Sequence, residues 1–484
     1  MSTPAPDEGQ VIPLGRQMKE QFPLDPAFRS MNHGSFGSCP NVVLKAQQKF
    51  QAELKHNPDI YIRFTAPVHI DASRAAIAKY LNVPTNEVVF VKNATTGVNL
   101  VLRNLQYQPG DVIVYFYGVY GGCERTVAYV VETTCVKARK VMLDFPCTHD
   151  DMVQRFMDVV KQVKAEGLNV KVALFDTISS QPGIRLPFER LVEICREEGI
   201  LSCIDGAHGA GQITLDLAAL DADFFVSNCH KWLFTPLGSA VFHVPVRNQH
   251  LLRSTMPTSW GFLPAPDVLN HAAPGHKNAV RFRGGLPSTG TKSEFEMLFE
   301  YVGTNDDTPY SCIPAALEFR QNVCGGEARI MEYCESLAFD GGNLVAKILG
   351  TEVLCEPGAE NQTVRGASAI RRCALVNVRL PIGVDDENGQ HDGKERSYPV
   401  LKSEDAGVLG QWIEKELLFT YNTYVPVFQL GGWMWTRLSA QVYLDLEDFE
   451  STGHTLKDIC ERIGKGQGPE GLEIENGVGN LTIS

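Results

Sequence analysis

Short apolar runs alternate with amphipathic stretches over the first two thirds of the chain. Val88-Val89-Phe90-Val91, Val112 to Phe116, Lys171 to Phe175, Ile200 to Ile204, Phe224-Phe225-Val226 and Ser239 to Val244 read as strands of three to six residues. Helices are expected at Pro40 to Asn57, where Val43, Phe50 and Leu54 recur at helical spacing, and at Asp71 to Tyr80. Two more are expected at Val98 to Leu105 and Phe188 to Glu198. Runs apolar throughout, separated by helices, predict a mainly parallel sheet covered on both faces.

After about Tyr310 the texture changes. Ala315 to Val323, Ile330 to Leu349, Ala406 to Leu418 and Thr455 to Ile463 read as helices, and Cys373 to Leu380 as a strand, so a smaller α+β domain is expected. The expected division is a flexible segment at 1–24, a large domain at 25–310, a small domain at 311–465 and a disordered tail at 466–484. Asp385 to Tyr398 is charged and contains glycine, and is expected to be a mobile loop.

Composition narrows the function classes. A net charge of −13 over 484 residues argues against nucleic acid as the main partner. No run of about 18 apolar residues suggests a membrane span, and no basic-then-apolar leader opens the chain. The 13 cysteines are scattered without a CxxC pair, which fits reduced thiols in a cytoplasmic enzyme. No metal site is read.

The chemistry falls at strand ends, where open parallel sheets hold ligands. Asp205 ends one strand and Lys231 follows the next, 26 residues on. Such a pair suits pyridoxal phosphate: an amine to carry the cofactor and a carboxylate to face its ring nitrogen. Thr95 and Thr96 open a helix, a ready phosphate site. Tyr117 and Tyr120 follow another strand as possible aromatic plates.

The order of these motifs carries a resemblance. Asn93-Ala94-Thr95-Thr96-Gly97-Val98-Asn99, Tyr120-Gly121-Gly122-Cys123, Asp205-Gly206-Ala207-His208, Ser227-Asn228-Cys229-His230-Lys231-Trp232 and Gly303-Thr304-Asn305-Asp306 resemble the class V aminotransferase-like enzymes. These are fold-type I pyridoxal-phosphate (PLP) proteins that include cysteine desulfurases and isopenicillin N epimerase-like proteins. Asn32-His33-Gly34-Ser35-Phe36-Gly37 and Arg437-Leu438-Ser439-Ala440-Gln441 extend the likeness over about residues 25–465. Within that family the chain resembles the fungal hercynylcysteine sulfoxide lyases of ergothioneine synthesis, through Lys231 to Pro236, Val244 to Phe262, Gly325 to Tyr333 and Arg437 to Tyr443.

The resemblance implies an α/β fold with a mainly parallel seven-stranded sheet, PLP as cofactor and a homodimer. Lys231 would carry the cofactor and move the Cα proton, and Asp205 would pair with the ring nitrogen. His208 would lie near the phenolic oxygen. Thr95, Thr96, Asn228 and His230 would bind the phosphate, with Thr304 reaching the phosphate of the neighbouring subunit. Tyr120 would lie over the ring and serve as an acid. Arg437 would clamp the substrate carboxylate, Asn32 and His33 would border the substrate, Ser179 or Ser180 would touch the ring, and Tyr61 and Arg63 would enter the partner's site.

The implied reaction is β-elimination from a cysteine S-conjugate or its sulfoxide by a carbon–sulfur lyase. Alternatives are an epimerase, or an elimination and cyclisation enzyme of fungal alkaloid metabolism. A cysteine desulfurase fits less well, because Arg371-Arg372-Cys373 lacks the usual Gly-His-His-Cys surroundings; Cys355 is its second candidate nucleophile. Two departures bear on the substrate: Gln429 to Trp433 is apolar where basic residues are expected, and His208 stands where some relatives carry Gln.

Overall fold

Seven strands form the first sheet: β1 (Val88–Val91), β2 (Asp111–Phe116), β3 (Lys137–Val141), β4 (Asn169–Asp176), β5 (Leu201–Asp205), β6 (Phe224–Asn228) and β7 (Ala240–His243). Their order is β1-β7-β6-β5-β4-β2-β3, with β2 to β6 parallel and β7 antiparallel to both β6 and β1. This is a computed structural model, and it describes residues 11–262, 264, 292–359, 364–385 and 398–470, with the backbone of 473–476 and 479–482.

The apolar runs are explained by burial on both sides. Val112, Val114, Phe116, Ala173, Phe175, Ile204 and Phe225 enter one core, against Met152, Phe156 and Val160 of the helix His149–Ala165 and Leu191 of the helix Phe188–Glu198. Their alternate neighbours Ile113, Val172, Leu174, Cys203, Phe224 and Val226 enter the other, against Val98 and Leu102 of the helix Ala94–Asn104 and Val127 of the helix Gly121–Thr133. A strand of period two with both faces buried needs apolar residues at every position.

The second sheet holds β8 (Leu375–Asp385), β9 (Val400–Lys402), β10 (Val427–Leu430), β11 (Trp433–Ser439), β12 (Glu473–Asn476) and β13 (Gly479–Thr482), in the order β10-β11-β8-β9-β12-β13. The helices Glu327–Leu349 and Leu446–Gly464 pack on each other and on β8. No described helix is long and apolar enough to cross a membrane.

Several expectations need correction. Residues 11–24 are not loose: Met18 and Phe22 are buried, and the Phe22 ring meets Phe234, Phe319 and Tyr443 edge-on. Two large apolar side chains outweigh the polar majority there. The stretch expected as a tail at 466–484 contains β12 and β13, and β12 pairs with β9. Asn32 to Gly37, expected as a loop, contains one helical turn, His33–Phe36. Residues 1–10 and most of the charged insertion (386–397) lie outside the described residues.

Candidate active site

β6 runs straight into a one-turn helix, Cys229–Trp232, which presents Lys231 beyond the carboxyl ends of the parallel strands. Two side chains hold that turn, and each is anchored by a further bond outside it. His33 Nε2 donates to the Lys231 carbonyl at 2.8 Å, and His33 Nδ1 accepts from the Tyr443 hydroxyl at 2.9 Å. Arg320 donates to the Trp232 carbonyl at 2.6 Å and to the Gly211 carbonyl at 2.9 Å. The Arg320 guanidinium is wholly buried and paired with Glu327 at 2.5 and 2.6 Å. The backbones approach so closely that a Cβ at Gly37 would lie 1.9 Å from the His230 carbonyl oxygen, and one at Gly211 would lie 2.5 Å from the Trp232 carbonyl. Only glycine fits at either place.

The charges around Lys231 are buried. Parallel register sets Asp176 at the end of β4 beside Asp205 at the end of β5. Asp205 accepts from the Ala207 backbone at 2.9 Å and from the Cys123 thiol at 3.3 Å. Burial raises both carboxyls above their ordinary range, and the nearby Asp205 raises Asp176 further, while Lys231 opposes the rise in both. Burial pushes the Lys231 ammonium down to about 8, with help from Arg437 and against Asp205 and Asp176. His208 Nε2 lies 3.2 Å from Lys231 Nζ, and His208 Nδ1 lies 3.1 Å from Trp232 Nε1.

The helix Ala94–Asn104 points its first turn at the same region. Asn93 caps it, accepting from the Thr96 backbone at 2.8 Å, and Asn228 accepts from the Ala94 backbone at 2.8 Å. His230 Nδ1 donates to the Ser239 carbonyl at 2.8 Å, and burial pushes this imidazole down to about 4. Tyr120 is 49% exposed, at the start of the helix Gly121–Thr133. Its ring and the Thr95 methyl both lie against Gly122.

Arg437 projects from β11 and is 1% exposed. Its guanidinium donates to Asn32 Oδ1 and Ser35 Oγ, both at 2.8 Å, and to the Ser180 carbonyl at 2.7 Å. All of these acceptors are neutral, and Nε is buried without a partner. No carboxylate pairs with it among the described residues, and burial pulls its pKa down to about 10. Asn377, opposite Arg437 across the β8–β11 ladder, pins Gly183 through both backbone polar groups. Gly183 leaves room for the Arg437 stem, which a Cβ there would meet at 2.8 Å.

A family model described as "Aminotransferase class-V" matches residues 37–305. An L-cysteine desulfhydrase-like protein of Epichloe uncinata, lolT2, is 39% identical over 93% of this chain and 95% of its own length. The chain belongs to the aminotransferase class-V family. Its cofactor is therefore pyridoxal 5′-phosphate. A further relative, the hercynylcysteine sulfoxide lyase of Schizosaccharomyces pombe, is 27% identical over 92% of this chain and 98% of its own. Among solved structures, a C-DES variant with glycine covalently linked to its PLP cofactor superposes with a TM-score of 0.66 at 18% identity, covering 91% of this chain and 99% of its own, which speaks for the fold.

The residues present fit that cofactor. Asp205 and Asp176 lie side by side, buried, with no ion pair to a cationic side chain among the described residues. A ring cation would supply the missing positive charge. A buried amine of lowered pKa lies three residues after Asn228, whose side chain accepts from the first residue of the helix Ala94–Asn104 and so ties that helix N-terminus to the lysine turn.

Of the residues expected from sequence, Lys231, Asp205, His208 and Arg437 share one buried electrostatic neighbourhood. Asn32 joins it through Arg437. His33 uses both ring nitrogens inside the protein and so positions the lysine turn. Asn228 likewise spends its side-chain oxygen on the first turn of the helix. Tyr61 is buried in its own chain, with its hydroxyl pushed up to about 12 by burial, and does not face outward toward a partner. Thr304 bonds the Tyr301 hydroxyl at 2.9 Å, beside Gly303 and Asn305, which line a cavity of about 210 Å³ together with Lys92 and Thr96. Sequence reading missed Asp176, Trp232, Cys123 and Arg320 as site residues. The acidic residue closing a strand was the one visible signal, at Asp176.

Proposed function

We propose that the chain is a PLP-dependent carbon–sulfur lyase that expels the sulfur group from Cβ of a cysteine S-conjugate or its sulfoxide. The observation that carries this reading is the buried Arg437, a cation without an anion set beside a lysine of lowered pKa. A substrate α-carboxylate completes it through a bidentate pair. The names of the relatives supply the sulfur: L-cysteine desulfhydrase-like and hercynylcysteine sulfoxide lyase.

Bound, the cofactor supplies the electron sink that makes Cα acidic. Lys231 would hold it and would move the proton at Cα. Asp205 would keep the ring nitrogen charged, while the first turn at Thr95 and Thr96, with His230, would hold the phosphate. Arg437 orients the amino acid, supported by Asn32, Ser35 and Ser180. Tyr120, half exposed over that turn, protonates the departing sulfur. The remaining fragment hydrolyses to pyruvate and ammonia.

The cysteines argue against a desulfurase. That chemistry needs an accessible nucleophilic thiol. Cys373 is buried and its thiol is pushed up to about 12 by burial, and Cys355 is also buried. Cys135, the one exposed cysteine, precedes the amino end of the edge strand β3, whereas Lys231 lies beyond the carboxyl ends of the parallel strands. All 13 being free supports a reducing compartment such as the cytoplasm. Exposed Phe36, Val42, Ile60, Phe64 and Val68 support a homodimer, in which Thr304 would reach the partner's phosphate.

Incubating the purified PLP-loaded enzyme with L-cysteine, cysteine S-conjugates and hercynylcysteine sulfoxide tests the reading. Pyruvate release, retained when Cys355 and Cys373 are both replaced by Ala, is expected. Cα proton exchange without sulfur loss across the panel would overturn it.

A further inference from the structure

A buried histidine facing an amine can present either a lone pair or an N–H, and its other nitrogen decides which. His208 Nδ1 lies 3.1 Å from Trp232 Nε1, and both residues are 2% exposed. An indole nitrogen is a donor only. Nδ1 therefore accepts, and in the neutral ring the proton sits on Nε2, 3.2 Å from Lys231 Nζ. We propose that Trp232 is a positioning residue that fixes His208 as a permanently neutral hydrogen-bond donor, aimed at the point where the lysine amine meets the cofactor's phenolic oxygen. This rests on the reading of the chain as a PLP enzyme and names a device within that site.

The surroundings enforce the neutral state. A proton added at Nδ1 would break the bond to Trp232. It would also place a cation beside Lys231 from the Cys229–Trp232 turn and Arg437 from β11, with His33 nearby. Burial first, then Lys231, Arg437 and His33, hold the His208 imidazole well below its ordinary range. The anions of the site, Asp205 and Asp176, act on Lys231. The indole is held too: Arg320 fixes the Trp232 carbonyl, and the His33 and Trp232 ring centroids lie 5.2 Å apart. Gln212 donates to the His208 carbonyl at 2.9 Å and so fixes the other backbone. Lys231 and Trp232 are adjacent in sequence, so one turn delivers the amine to one ring nitrogen of His208 and the indole to the other.

A fixed donor has a measurable consequence. It draws charge from a phenolic oxygen and weakens the hold of that oxygen on a proton shared with the neighbouring nitrogen. The loaded enzyme then loses that proton at lower pH than it would without the donor. His208→Gln keeps an N–H donor at this reach and has no tautomer to lose.

Two measurements test the proposal. In ¹⁵N-histidine NMR of the cofactor-free protein, with His208 assigned by its loss in His208→Gln, Nδ1 should be unprotonated and Nε2 protonated from pH 8.5 to pH 9.5, where the Lys231 amine is neutral and accepts from it. A protonated Nδ1, or a titration in that range, overturns the inference even if no Trp232 variant folds. In the loaded enzyme, the pH midpoint of the visible absorption change should rise in Trp232→Phe by about one unit, a tenfold change in proton affinity. It should stay near wild type in His208→Gln, and the double variant should match His208→Gln. An unchanged midpoint in Trp232→Phe, or an equal shift in the His208→Gln background, overturns the inference. A protein that shows no visible band with PLP would instead refute the functional reading, and the NMR would still decide the tautomer.

Discussion

Around Lys231 the protein provides a partner for the backbone carbonyls of the lysine turn; around Arg437 it withholds an anion. His33, Arg320 and Ser239 bond the turn from three sides, and Gly37 and Gly211 let two other backbones close on it. The guanidinium of Arg437 meets neutral oxygens only, and its Nε meets none. A satisfied network holds one shape and suits a permanent cofactor. A buried cation without an anion is costly until a carboxylate arrives, so binding free energy is concentrated at that corner. The cofactor end is built for permanence and the substrate end for exchange.

Lys231→Ala breaks the comparison most completely. Its visible absorption with PLP should vanish and pyruvate release should fall by roughly a thousandfold or more. Glu327→Gln should come next, since it strands the buried Arg320. Urea unfolding should show a loss of about 3 kcal/mol, near the low end for a buried pair because the Glu327 side chain is 32% exposed. Arg437→Gln should lower kcat/KM by roughly a hundredfold with the visible spectrum unchanged. In the same variant the thermal midpoint of the cofactor-free protein should rise, because an unpaired buried charge is gone. A fall in both would mean that the guanidinium is structural and would dissolve the contrast.

How far the site was legible follows the same divide. β4, β5 and β6 each carry an apolar run because both faces are buried there, so sequence alone located them and, by order, Asp205 and Lys231 at or beyond their ends. Asp176 closes a strand that sequence reading ended one residue early. Its meeting with Asp205 depends on the register of two parallel strands, which no local pattern encodes. β3 is Lys-Ala-Arg-Lys-Val, a charged edge strand without an apolar signature. Arg320 looks like any helical arginine, and only the packing of two helices brings Glu327 to it and both to the lysine turn. The helix His149–Ala165 was missed although Thr148 and Asp151 form a capping box that announces it. The hairpin after Gln429 carries apolar residues because Trp433 lies under the Arg379 guanidinium, 4.0 Å from ring centre to carbon, and near the Tyr398 ring.

The two ends also speak to each other through the charge on Lys231, and this is the smallest effect expected. Burial, then Arg437, lower the lysine to about 8 from an ordinary 10.5, against Asp205 and Asp176. Only the neutral amine can take up the cofactor covalently. The rate at which cofactor-free protein acquires visible absorption from PLP should therefore climb about tenfold per pH unit below pH 8 and level off above it. Because the folded value is depressed, the unfolded chain binds the extra proton between about pH 8 and 10.5, so the contribution of Lys231 to stability grows with pH across that window. Removing the Arg437 cation should raise the lysine pKa and move the plateau of the uptake rate to higher pH. A plateau in Arg437→Gln at the wild-type pH would show that burial alone sets the lysine, and that the arginine corner acts on the substrate without touching the cofactor end.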